Sequence, residues 1–186
     1  MSLIRLFVAV SIAFSTLLAA SENPSPLGLE IGVATVKDAK AKLALELDGI
    51  NPASGGEQYS VTDIKAVNLD GLRKAAIFFD KKGKLVYVGL EFDFGIERFN
   101  NLYESLKKKY TVKSEKFSYP PFVAFTAGNS EIRLSQPHAA SSKMNLAYGL
   151  TSLWYQGDSQ LQQKQKAEEE AKKKDQEAKK KAVDSL

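Results

Sequence analysis

Residues Ala75 to Phe94 read AAIFFDKKGKLVYVGLEFDF, two β-rich runs on either side of Asp80-Lys81-Lys82-Gly83. An aspartate can cap a turn with its side chain, and a glycine accepts positive φ. The four residues therefore predict a type I turn closing through a left-handed glycine, and the whole stretch a hairpin. In the outgoing strand Val86, Val88, Leu90, Phe92 and Phe94 share one face by two-residue alternation and are expected in the core. Leu85, Tyr87, Gly89, Glu91 and Asp93 share the other face, which passes from apolar to acidic along its length. Ile77, Phe78 and Phe79 make the incoming strand apolar on both faces, so it is expected inside a sheet.

Outward from the hairpin, two helix-then-strand runs are expected. Upstream, Thr35-Val36-Lys37-Asp38 resembles a capping box with aspartate in place of glutamate. Val36, Ala39, Leu43 and Leu47 follow at helical spacing, predicting a helix from about Val36 to Leu47. Asn51 to Gly56 then forms a loop, and Tyr59 to Val67 alternates as a strand. Downstream, Phe99, Leu102, Tyr103, Leu106 and Tyr110 predict a helix from about Ile96 to Tyr110. Lys107, Lys108 and Lys109 fall in its last turn, where cations complement the helix dipole; an anion or membrane-surface patch is the other reading of that run. Strands are expected at about Thr111 to Phe117, Phe122 to Ala127, Ser130 to Ser135 and Asn145 to Leu150, with Gly128-Asn129 as a primed two-residue turn. Tyr119-Pro120-Pro121 interrupts pairing, because proline gives no ladder hydrogen bond.

This order predicts an α+β domain over residues 35–157, made of two similar halves (35–94 and 95–157). A two-layer arrangement is expected, with antiparallel sheet and both helices on one side. The sheet face without helices would then be the natural binding surface.

The ends of the chain read differently. Met1 to Arg5 carries one positive charge, Leu6 to Leu18 is apolar, and Ala19-Ala20 precedes the polar Ser21-Glu22-Asn23-Pro24. That is the layout of a secretory signal peptide over residues 1–20, with an uncleaved anchor as the alternative. Leu18 stands where cleavage sites carry a small residue, so the position of the cut is left open. No cysteine follows the apolar run, which excludes a bacterial lipid anchor there. Residues 21–34 are expected as a lead-in. At the other end Gln160 to Leu186 is rich in glutamine, lysine, glutamate and alanine. Glu168 with Lys172, Glu169 with Lys173 and Glu170 with Lys174 are i, i+4 pairs worth about 0.2–0.5 kcal/mol each, predicting a charged solvated helix over 158–186. Its alanine stripe is too thin for an ordinary coiled coil, leaving a spacer or a partner-binding helix.

Composition excludes several functional classes. Among 186 residues there are no cysteines and one histidine, and 44% are hydrophobic. Disulfides cannot hold the fold, so a core must, and a body of roughly 130 residues is large enough to bury one. The formal charge is +4, one unit lower once Arg5 is removed with the signal. That modest excess in an exported chain argues against a nucleic-acid partner. No membrane span is expected after signal removal, and zinc finds almost no ligands. Gly83-Lys84 lacks the upstream glycine of a phosphate loop, and no cofactor is expected.

The residues Gly28-Leu29-Glu30-Ile31-Gly32, the capped helix from Thr35 to Leu43, and the hairpin around Phe79-Asp80-Lys81-Lys82-Gly83-Lys84-Leu85 resemble the small exported modules of the SmpA/OmlA and β-lactamase-inhibitor-protein-like group. The resemblance implies a non-catalytic domain that binds other proteins. It covers about 30 residues, and the lipid-anchoring cysteine of the SmpA/OmlA members is absent here.

Three functions follow. The first is an exported binding module that recognises a protein or cell-envelope component through the sheet face, with Tyr87, Glu91, Asp93, Tyr148 and Trp154 as candidate contacts, since tyrosine and tryptophan anchor interfaces when exposed. Most aromatics in a chain of this size are core, which is the other reading of the same side chains. The second is a hydrolase. Glu91 and Asp93 project from one strand face roughly 7 Å apart, a spacing that suits paired carboxylates. His138 sits in a polar loop, and no nucleophile elbow accompanies it. The third is a carrier holding a small apolar ligand between sheet and helices.

Overall fold

The computed structural model describes residues 23–155 and Ser159. The signal peptide expected at 1–20 and, Ser159 apart, the charged helix expected at 158–186 lie outside the described residues. Within them the chain forms an α+β fold around an eight-stranded antiparallel sheet. The elements run α1 (Val36–Lys42), β1 (Leu45–Ile50), β2 (Gly55–Val61), β3 (Leu72–Asp80), β4 (Leu85–Asp93), α2 (Ile96–Lys107), β5 (Thr111–Lys116), β6 (Phe122–Ala127), β7 (Ser130–Ser135) and β8 (Lys143–Leu150). One helix and a four-strand meander thus occur twice. The strand order is β1-β2-β3-β4-β8-β7-β6-β5, so the last strands of the two meanders pair at the centre, and β1 and β5 are the edges.

The hairpin at the hub forms as read. Asp80 Oδ1 accepts the backbone N–H groups of Lys82 and Lys84, each at 2.8 Å. Gly83 takes φ 73°, a conformation that costs a residue with a Cβ but not glycine. One detail departs from simple alternation. Tyr87 pairs with Phe78 while Leu85 pairs with Phe79, so the β4 strand carries an extra residue at Val86. That bulge turns Leu85 inward, and it is fully buried rather than sharing the face of Tyr87.

The helix expected from Val36 to Leu47 stops at Lys42. Its start is the capping box expected: Asp38 Oδ2 accepts the Thr35 N–H at 2.8 Å and Thr35 Oγ1 accepts the Asp38 N–H at 3.3 Å. Beyond Leu43, however, the backbone is extended, and Leu45 to Ile50 pairs with β2. Leu47 fits the helical spacing by coincidence. Pairing with β2 satisfies a whole row of backbone groups, which outweighs a weak helical preference. Each half therefore has four strands, where three were expected in the first. The strand expected at Tyr59 to Val67 is β2, six residues earlier at its end, and 62–71 is loop. The downstream helix ends at Lys107 rather than Tyr110.

A single core cluster lies against one face of the sheet. Phe79, Phe125, Ile77, Val88, Ile132 and Leu134 from the strands are fully buried, together with Ala39 of α1 and Phe99 of α2. Lys40 of α1 sits over the Tyr59 ring of β2 at 4.9 Å, and Tyr103 of α2 packs on Phe125 of β6 with ring centroids 6.1 Å apart. Each large side chain so buried contributes about 1.5–3 kcal/mol. The stretch read as a lead-in belongs to this core, since Leu29 and Ile31 are buried within it. No helix among the described residues is long and apolar enough to cross a membrane.

Candidate functional site

Strand register places the residues of the face opposite the core in rungs that run across the strands. On one rung Lys74, Glu91 and Asn145 lie side by side; on the next Ala76, Gly89 and Ala147; on the third Phe78, Tyr87 and Gly149. The middle rung continues in both directions, to Ser60 and Glu46 on one side and to Arg133, Ala124 and Ser114 on the other. A line of mostly small residues thus crosses all eight strands, roughly 34 Å at the usual strand spacing. Its central part, between β3, β4 and β8, is an open groove of about 240 Å³ floored by Ala76, Gly89 and Ala147.

Aromatic side chains wall the groove on one side. Tyr87 stacks on Phe78, with centroids 4.6 Å apart and planes at 17°. It lies so close over its own strand that a Cβ on Gly89 would stand 2.8 Å from the Tyr87 ring. Trp154, in the helical residues 151–155 that follow β8, meets Tyr87 edge-on at 5.6 Å. Its Nε1–H donates to the Glu131 carbonyl at 3.2 Å, and the Arg133 guanidinium lies over its ring at 4.2 Å. Glycine at 149 makes this seat possible, since a Cβ there would come within 3.1 Å of the indole. Burial pushes the Tyr87 phenol up, partly offset by the positive charge of Arg133, so it stays neutral and able to donate a hydrogen bond.

Beneath Trp154 is a charged cluster. Glu131, 3% exposed, accepts from Lys113 Nζ at 2.5 Å and Arg133 Nε at 2.7 Å. Burial acts to raise its carboxyl, and the hydrogen bonds from Lys113 and Arg133 outweigh it, leaving the group below its ordinary value. Lys113 also lies over the Tyr155 ring at 5.4 Å.

Of the candidate contacts, Tyr87, Trp154 and Glu91 come together on this face, Glu91 lining the groove. Tyr148 does not: it pairs with Val88 and packs against the core, where burial, and then Tyr110, raise its phenol. Asp93 is on the face but committed to Arg73, whose Nε donates to it at 2.7 Å, and that bond holds its carboxyl below the usual range. Glu91 is paired with Lys143 at 2.8 Å. His138 is exposed in the β7–β8 loop, its carbonyl accepting from the Ser141 N–H. Among the described residues no three histidine or acidic side chains gather as a metal site. Phe78, Glu131, Arg133 and Lys113 were not singled out by sequence. The alternation Glu131, Arg133, Ser135 against Ile132, Leu134 assigns β7 its faces, but nothing local says that β7 lies beside β8.

No family model matches the chain, and no curated protein matches it significantly. Among solved structures, a DUF4309 family protein (YjgB) from Bacillus subtilis is similar at 16% identity over 68% of this chain and 86% of that one, with a TM-score of 0.32.

Proposed function

We propose that this protein is an exported, non-enzymatic module that binds a protein or cell-envelope component through the sheet face opposite its core. In this reading the fold is two-layered, with α1 and α2 on one side, residues 1–20 direct export, and the charged tail at 158–186 is a spacer or second contact. The supporting observation is the groove floored by Ala76, Gly89 and Ala147 and walled by Phe78 and Tyr87, with Trp154 packed edge-on against Tyr87. An open floor beside rigid aromatics offers a partner apolar contact at low ordering cost, which is how interface anchors gain their energy. The hydrolase reading is weakened by the ion pairs. General acid–base work needs two carboxyls held in different protonation states, whereas Glu91 and Asp93 each face a cation.

A photo-crosslinking residue placed at Ala76 in the native envelope is expected to give a discrete adduct, and one placed at the exposed Lys37 of α1 is not. Equal adducts from both positions, or none from Ala76, would count against the face. Turnover of a glycan, peptide or ester by the purified protein, abolished by Glu91→Ala, Asp93→Ala or His138→Ala, would overturn the non-enzymatic reading.

A further inference from the structure

The two ends of the sheet differ in charge. At one end lie the turns at 51–54, 81–84, 108–110 and 128–129 and the helical residues 151–155. These turns carry no carboxylate; the start of α1, which packs on the 81–84 turn, brings Asp38, whose carboxylate is taken up by the Thr35 N–H and hydroxyl. The adjoining Asp80 turns its Oδ1 to the backbone of its own turn. Lys81, Lys82, Lys107, Lys108 and Lys109 are all exposed at this end. Among the described residues none of the five stands in an ion pair, although Lys107 lies over the Tyr103 ring.

The five lysines are spread rather than convergent. Lys81 and Lys82 join β3 to β4, while Lys107 to Lys109 lead into β5, four strand spacings from β4 in the sheet order, or roughly 19 Å. At that separation, well beyond the screening length of roughly 8–10 Å, a small anion can touch one group of lysines but not both. A flat anionic surface can meet all of them together. Two exposed apolar side chains flank the lysines: Val33, 50% exposed, whose carbonyl accepts from Lys84 Nζ, and Tyr155, 60% exposed. Tyrosine is a residue type that settles at the headgroup level of a bilayer.

The described residues around Asn23 and around Tyr155 both lie at this end. Asn23, where the described chain begins, accepts through Oδ1 from the N–H of Asn129 in the β6–β7 turn, and Tyr155 ends the helical residues after β8.

We infer that this end of the domain docks on an anionic phospholipid surface, with Lys81, Lys82, Lys107, Lys108 and Lys109 against the headgroups and the sheet standing away from the bilayer. The opposite end differs: it carries carboxylates as well as cations, three of them in the pairs Arg73 with Asp93, Arg98 with Asp70 and Lys143 with Glu91.

The test uses the chain from Ser21 onward, which contains every described element, and vesicles of phosphatidylglycerol and phosphatidylcholine against vesicles of phosphatidylcholine alone. Binding to the anionic vesicles only is expected, and it should fall as salt rises. Lys107→Gln, Lys108→Gln and Lys109→Gln together should weaken partition on the order of 100-fold, from roughly fivefold per lysine near such a surface. The control triple Lys65→Gln, Lys74→Gln, Lys116→Gln removes the same charge from the opposite end, where these side chains are exposed, and should weaken it less than about threefold. Equal losses from the two triples would reduce the effect to net charge and overturn the inference. So would binding that ignores lipid charge, or retention on soluble polyphosphate with none on vesicles.

Discussion

On the core side of the β3–β4–β8 ladder, one rung carries Ile77, Val88 and Tyr148 and another Ala75, Leu90 and Leu146; on the far side the rung between them carries Ala76, Gly89 and Ala147. The same three strands thus present large interlocked side chains to one face, and to the other a rung of small residues between a polar rung and an aromatic one. The core face holds by volume, through dispersion and removal of apolar surface from water. The far face holds by direction: a stacked pair, an indole N–H on a carbonyl, a guanidinium over a ring and a carboxylate between two cations. The two faces should therefore fail differently when altered, because the first loses buried area and the second loses a partner.

The largest separation of the faces comes from neighbouring phenylalanines. Phe79 is fully buried and meets Tyr59 edge-on at 5.9 Å, so Phe79→Ala should cost about 3–5 kcal/mol in urea unfolding. Phe78, partly exposed on the other face, loses mainly its stacking with Tyr87 and some area, and Phe78→Ala should cost about 1–2 kcal/mol. Equal losses would mean that the aromatic wall is a second core rather than a surface.

Glu131→Gln tests the directional face. The carboxylate is buried while Lys113 and Arg133 keep side-chain exposures of 37% and 21%. Solvent screens the two cations, which keep their contacts with the Trp154 and Tyr155 rings, and the expected loss is about 1–3 kcal/mol at neutral pH. The pH dependence has a definite sign. The folded carboxyl titrates below its unfolded value near 4.5, so its contribution is complete above that value and disappears as pH falls through the lowered one. Thermal melts of the wild type and Glu131→Gln should therefore converge in acid. A gap that stays constant from neutral to strongly acidic pH would assign the loss to packing instead of charge.

How legible these faces were in the sequence follows from what each depends on. The hub hairpin was legible because its turn is chemically specific and its core alternation runs through Val88, Leu90 and Phe92 beyond the bulge. The bulge itself left no signal, since Leu85 and Val86 are both apolar and either could face inward. Strand β1 was hidden because Leu43 and Leu47 sit four apart, and only its partner β2 could override that spacing. The face opposite the core was half legible: Tyr87, Glu91 and Trp154 stood out as residue types. The β4–β8 junction that brings Trp154 to Tyr87 is long-range pairing, which no local pattern encodes. Tyr148 illustrates the same point in reverse, for its face was fixed by the register opposite Val88.

The finest probe of the far face is Gly149→Ala. The backbone at Gly149 is not in the left-handed region, so the added methyl is tolerated by the chain itself and removes unfolded-state freedom worth about 0.4–1 kcal/mol. Against this, its Cβ would lie 3.1–3.3 Å from the Trp154 indole, closer than ordinary contact, and the ring must give by a few tenths of an ångström. The two effects nearly cancel in stability, so the melting temperature should hardly move. The readout is spectroscopic instead, because Trp154 is the single tryptophan of the chain. As the indole lifts, its 3.2 Å bond to the Glu131 carbonyl lengthens and water reaches the ring, so emission should shift to the red while the core face keeps its melt. The conjunction matters: a red shift with an unchanged melt separates the faces at the scale of one methyl group. An unshifted spectrum would show that Trp154 is not seated on the strand at Gly149, and the indole would then no longer be the support behind Tyr87.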